Sequence, residues 1–182
     1  MKSKPIVPHF EQVDCPSIRA QFFDERKHRA SLRIPFLTSE KRKTLVIIGQ
    51  NPSLADENKA DKTIRYLEKL IYLTRPEYTE LLVLNLYSRI DTTKAETEDL
   101  LNHDCAEIFD SALDEYQDFL LVYGKLKNQG AYKFPDRALG VAAALQAKNT
   151  MMLDLKVSYP PHPGNPRILY RNFDINLRKC DL

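Results

Sequence analysis

The run TLVIIGQNPSLAD, Thr44 to Asp56, decides how the chain is read. Thr44 to Gly49 are β-branched and apolar, the composition of a strand buried on both faces. Gly49, Gln50, Asn51, Pro52 and Ser53 then turn the chain away, offering only side-chain amides and a hydroxyl. The same alternation recurs downstream. Asp61 to Arg75 sets Ile64, Leu67 and Ile71 on one helical face, with Asp61 as its cap. Glu80 to Leu86 is a second strand. Thr97 to Tyr116 spaces Leu100, Leu101, Ile108, Ala112 and Leu113 as a helix, and Asp118 to Gly124 is a third strand. Pro135 to Lys148 opens on proline and is rich in alanine, hence helical, and Met151 to Val157 is a fourth strand. The expected product is an α/β protein: a three-layer α/β/α sandwich with right-handed crossovers around a central, mainly parallel sheet of about four strands.

Residues 1–40 do not follow this pattern and read as an N-terminal extension packed on the α/β domain of residues 41–182, one domain overall. Within the extension, Ser17 to Ala30 reads as a charged helical stretch, and Ser31 to Phe36 as an added edge strand.

With 182 residues the chain is long enough to bury a core without disulfides or metals. Lys and Arg number 27 against 25 Asp and Glu, a net charge of +2 that neither demands nor excludes a polyanionic partner. Cys15, Cys105 and Cys180 lie far apart and read as free thiols. No apolar run approaches the roughly 20 residues that span a bilayer, and no signal-type apolar core follows Met1 to His9, so a cytoplasmic protein without a membrane partner is expected. There is no phosphate-binding P-loop, no dinucleotide fingerprint and no nucleophile elbow. The histidines, His9, His28, His103 and His162, are scattered, so neither a metal nor a cofactor is expected. The acidic run Glu96, Glu98, Asp99 and Asp104 reads as a solvated helix face.

In an open parallel sheet, ligands bind beyond the carboxyl ends of the strands. Here the first strand runs into Gly49 to Ser53, and the second into Asn85, Tyr87, Ser88 and Arg89. The third meets Tyr123, Gly124 and Lys125, and the fourth leads to Ser158, Tyr159 and the loop holding His162. Asn51 suits either a ligand or an Asx turn. His162 suits either proton chemistry or a solvated loop. Asn85 ends a strongly apolar strand, where an unpaired amide is costly, so it needs a partner from protein or ligand.

Three segments, GQNPSLAD (Gly49 to Asp56), NLYSRIDTTKAE (Asn85 to Glu96) and VYG (Val122 to Gly124), together with the arginine-containing HRASLRIPF (His28 to Phe36), resemble the marks of an uncharacterised bacterial and phage domain family. That resemblance covers most of residues 28–170 and implies no function. A more distant similarity is to the uracil-DNA glycosylase superfamily, carried in order by IIGQNP, LLVLN, LLVYGKLKNQG and YPPHPGNP. It implies the glycosylase-like fold, with Asn51 placing the attacking water, Asn85 reading a pyrimidine edge and His162 hydrogen-bonding the departing base. Prearranged donors of this kind stabilise the charge that develops on the base as the glycosidic bond breaks. Flipping a base from DNA needs an apolar wedge and phosphate contacts, and Arg167, Ile168, Leu169 and Arg171 form the candidate DNA-facing loop. Asn51 stands where the most active glycosylases have an acid, and a neutral amide orients water without taking its proton. The loop after His162 lacks the serine usual in that superfamily.

Three functions therefore stay open. The first is a glycosylase-like protein acting on a base, nucleotide or DNA, with Tyr87 stacking on the base and Arg89 on phosphate. The second is a noncatalytic nucleotide-binding module, and the third a scaffold. Tyr87 and Arg89 equally suit a packed aromatic and a loop-bracing ion pair.

Overall fold

The structure, a computed structural model, describes residues 7–41, 43–90 and 99–180. One mixed sheet contains β1 (Arg19–Phe23), β2 (His28–Pro35), β3 (Thr44–Gly49), β4 (Glu80–Asn85), β5 (Asp118–Leu121), β6 (Asn149–Leu153) and β7 (Leu177–Lys179). Their spatial order is β1-β2-β4-β3-β5-β6-β7. At the centre β4, β3, β5 and β6 are parallel. The helices are α1 (Lys62–Thr74), α2 (His103–Glu115), α3 (Phe134–Ala144) and the single turn α4 (Pro166–Leu169).

The central strands are apolar on both faces because both faces are covered. Leu45, Ile47, Leu81 and Val83 pack with Ile64, Leu67 and Ile71 of α1 and with Phe10 and Val13 of the N-terminal segment. Val46, Ile48, Leu82 and Leu84 pack on the other side against Phe109 and Leu113 of α2 and Val141 of α3. Each such side chain contributes roughly 1.5–3 kcal/mol when fully buried.

The expected sheet of about four mainly parallel strands needs correcting to seven strands in which the pairings β1–β2, β2–β4 and β6–β7 are antiparallel. The stretch Ser17 to Ala30 is not a helix but β1, a turn and the start of β2. Its charges crowd the turn, where Asp24, Glu25 and Arg26 have φ of 49°, 54° and 65°. Nor is β2 an edge strand, because it lies between β1 and β4. The described part of residues 1–40 thus contributes two strands to the sheet itself.

Helix starts follow their caps. Asp61 accepts from Ile64 N at 2.7 Å and begins α1 where expected. Asn102 accepts from Cys105 N at 3.1 Å, so α2 begins at His103, later than the Thr97 expected. Thr97, Glu96 and Glu98 lie outside the described residues; Asp99 precedes the helix, and Asp104 is exposed in its first turn. Cys105 and Cys180 are buried and Cys15 exposed, all as free thiols. No described helix is long and apolar enough to cross a membrane.

The N-terminal segment is locked to α1 by a buried ion pair. His9 Nδ1 donates to Glu68 Oε1 at 2.5 Å, and Nε2 donates to the Asp56 carbonyl at 2.8 Å. Both ring nitrogens face acceptors, an arrangement that favours the imidazolium. Burial works against that charge, but the Glu68 hydrogen bond and carboxylate, with the Asp56 backbone, outweigh it and raise the His9 pKa above its ordinary 6.5. A group that holds its proton more tightly when folded stabilises the fold fully below its unfolded pKa, and that contribution is lost as pH rises through the folded value. The thermal midpoint should therefore fall as pH rises above about 6.5 more steeply than in Glu68→Gln. At the acid end that substitution should cost about 3–5 kcal/mol. Parallel pH profiles for the two proteins would show that His9 carries no such charge.

Candidate functional site

Parallel pairing of β3 and β4 sets Gly49 beside Asn85, so two polar strand ends emerge side by side. Above them lies a cavity of about 280 Å³. Ile47 and Val83 from the strands, Val122 just past β5, and Ile64 and Leu67 from α1 form its apolar walls. Arg29, Asn51, Asn85, Asp61 and His162 bring polar groups to the same space. The amides and imidazole picked out from sequence are thus remote in the chain and adjacent in the fold. Gly49, Gln50, Pro52 and Ser53 line the cavity too.

Asn51 follows the turn out of β3, and its carboxamide is the least satisfied group there. Both Oδ1 and Nδ2 are buried with no hydrogen-bond partner among the described residues. The Asx turn that would have explained Asn51 by folding alone is therefore not made by its side chain. Ser53 does make a local turn bond, its Oγ accepting from Ala55 N at 3.2 Å. Asn85 is 9% exposed, and its Oδ1 accepts from Arg29 Nη2 at 3.2 Å. That bond fixes the amide, turning Nδ2 toward Gly49. A Cβ at position 49 would stand 2.6 Å from Nδ2, so only glycine leaves room for the amide.

Arg29 was not singled out from the sequence, although it falls within the arginine-containing strand. Its side chain is buried at 2% exposure, donating from Nη1 to the Ala55 carbonyl at 3.0 Å and from Nη2 to Asn85. Desolvation brings its pKa down to about 10 against the raising influence of Asp61 and Asp56, so it stays cationic at neutral pH. A bulge explains how it reaches the site. Gln21 pairs with Ser31 but Phe22 with Arg29, leaving Ala30 unpaired. The extra residue inverts the alternation, so Arg29 shares the face of Leu32 and Ile34 instead of the face of Ser31 and Arg33.

Other residues named from sequence fall elsewhere. Gly124, with φ of 78°, donates to the Pro160 carbonyl at 2.9 Å and lies so close to His162 that a Cβ there would stand 3.2 Å from the histidine Cβ. It positions the histidine loop from outside the cavity, while Lys125 is exposed and does not line it. His162 Nδ1 accepts from Gly164 N at 2.9 Å, which leaves the ring proton of the neutral imidazole on Nε2. Tyr87 packs edge-on against Tyr132 and Phe134, and its hydroxyl accepts from Lys133 N at 3.0 Å, so it lies away from the cavity. Arg89 braces a loop, with Nη1 2.9 Å from Asp99 Oδ2. In the proposed DNA-facing segment Ile168 is fully buried in the core, a correction to its placement, whereas Arg167, Leu169 and Arg171 are exposed on or beside α4.

A second polar constellation looks like a hydrolase triad. Ser88 Oγ lies 2.8 Å from His28 Nδ1, and His28 Nε2 2.9 Å from Asp99 Oδ2. Ser88 is buried at 4% exposure, and its Oγ accepts from Asn102 N at 3.1 Å. A nucleophile needs open space above its oxygen, so this group serves to tie the loop before α2 onto β2.

Residues 31–164 match the model of a family described as a protein of unknown function (DUF1643), and the chain belongs to that family. No curated protein and no solved structure matches the chain.

The Gly49–Asn85 contact yields a direct test. In Gly49→Ala the added methyl must displace an amide held by Arg29, at an expected cost of about 1–3 kcal/mol in a denaturant titration. An unchanged midpoint would mean that the amide moves freely and is not held in place.

Proposed function

We propose that this family member recognises a nucleobase, free or carried by a nucleotide or DNA, in the cavity at the ends of β3 and β4. The observation that carries the reading is the Asn51 carboxamide, whose donor and acceptor are both buried and unpaired beside a cavity. An amide left so costs free energy, and a partner with a matching acceptor and donor recovers it. A base edge is such a partner. The Asn85 Nδ2 adds a second fixed donor, and the apolar walls suit the faces of a flat ring. At about 280 Å³ the space lies just below the roughly 300 Å³ at the lower end for small-ligand pockets, which favours a base or nucleoside over a dinucleotide.

The glycosylase-like order of strand-end motifs supports a second reading, N-glycosidic hydrolysis, because Asn51 and His162 line the same cavity. Asn51 would hold water and His162 Nε2–H would meet the departing base. Asn51 is a neutral amide and cannot take the proton of the attacking water, and Asp61, the only carboxylate in the described lining, caps α1 through Oδ1, so turnover would be slow. Exposed Leu169, at 46%, lies between Arg167 and Arg171 and replaces the buried Ile168 as the candidate wedge for DNA.

A thermal-shift screen with nucleobases, nucleosides and nucleotides tests recognition, since a ligand of the folded state raises the midpoint, by about 2.7 kcal/mol of stability at a hundredfold excess over Kd. At least one base should do so, and Asn51→Ala should weaken it about tenfold, the worth of one or two hydrogen bonds. Silence across the screen rejects the reading. For hydrolysis, Asn51→Asp supplies the missing proton acceptor and should speed release of free base from uracil-containing DNA by about a hundredfold or more. No release by either form would leave recognition without chemistry.

A further inference from the structure

We infer that the ligand of this cavity carries a full negative charge on an oxyanion group, and that Arg29 is the residue that meets it. The inference rests on the reading of the cavity as a ligand site and specifies its chemistry. A guanidinium is the most strongly basic group in the chain, and Arg29 is 2% exposed. Its hydrogen bonds go to neutral oxygens, the Ala55 carbonyl and Asn85 Oδ1, and its Nε is buried without a partner. Among the described residues no carboxylate comes within 4.0 Å of it.

Elsewhere in this fold buried charge is matched at contact distance. His9 meets Glu68, and Arg33 meets Glu80. The acids nearest in effect to Arg29 are Asp61 and Asp56, and both are engaged elsewhere. Asp56 pairs with Arg26 through Oδ2 and accepts from the backbone N–H groups of Asn58 and Lys59 through Oδ1. Asp61 Oδ1 caps α1. Burying a cation without a paired anion is costly, and a folded chain removes that cost by deprotonation or by contact with an anion. Arginine does not deprotonate at neutral pH, and no carboxylate of the described residues touches it, so an anionic ligand is the partner this position calls for. A planar guanidinium matches two oxygens of a carboxylate or phosphate, or the conjugated oxygens of an acidic ring. These are the three sources of one chemistry.

The test compares matched neutral and anionic probes by calorimetry on the full chain near neutral pH. Uracil against barbiturate probes a charged ring, uracil against orotate an appended carboxylate, and a nucleoside against its 5′-monophosphate a phosphate; inorganic phosphate is titrated alone. One anionic member should bind about tenfold or more tighter than its neutral partner, and the responding pair identifies the source. In Arg29→Gln that preference should vanish. Equal binding of every pair by the unmodified chain overturns the inference but leaves base recognition intact, and this comparison needs no variant to fold. A preference that survives Arg29→Gln also overturns it. If no base or nucleoside binds, base recognition fails, and phosphate then decides: binding that Arg29→Gln abolishes sustains the inference, and no binding of phosphate ends it.

Discussion

A single buried guanidinium joins the parts from which the cavity is made. Arg29 belongs to β2, bonds the last residue of β4 through Asn85, and bonds the loop leaving β3 through the Ala55 carbonyl. Three segments distant in sequence are thereby tied at the carboxyl edge of the sheet. The consequences are directional. Because Asn85 Oδ1 accepts from a cation, its Nδ2 has only one way to point. Because Nδ2 points toward Gly49, the neighbouring strand must end without a side chain. The parallel register that pairs Gly49 with Asn85 follows from the apolar faces of β3 and β4, so core packing and site geometry are set by the same ladder.

What the sequence discloses, and what it conceals, follows from this construction. Strands covered on both faces are unbroken apolar runs, and the four central ones are legible for that reason. Helix α1 is legible through its cap and periodicity. The β1–β2 hairpin is not, because its turn uses three non-glycine residues with positive φ and so lacks the Asn-Gly or Asp-Gly signal of a tight hairpin. Its dense charge also resembles a solvated helix. The bulge at Ala30 then breaks the alternation that would have marked β2.

The same contrast holds in the cavity. Asn51, Asn85 and His162 follow strands directly, so the rule for parallel sheets points to them. Arg29 reaches the cavity only through a break in alternation, and no periodicity rule anticipates that. Tyr87 and Arg89 sit just past Asn85 yet turn to an aromatic cluster and a loop ion pair, since orientation beyond a strand end is set by what each side chain finds to pack against. Ile168 and Leu169 are neighbours on one helical turn, and only the three-dimensional core decides which is swallowed and which is left outside.

The loop between β3 and α1 is restrained behind and unsatisfied in front. Behind it, His9 holds the Asp56 carbonyl, Arg26 pairs with the Asp56 carboxylate, and Glu57 accepts from Ala20 N. In front, Asn51 and the Arg29 Nε have buried polar atoms without partners. Folding alone would favour apolar groups at those points, because a buried polar atom that finds no partner subtracts from stability. Sequences depart from that preference where a site requires it. On the proposed reading the restraint would give the departure its use: a loop already ordered by its outer contacts would lose little freedom on binding a ligand, so the free energy recovered at Asn51 and Arg29 would not be consumed in ordering the chain around it.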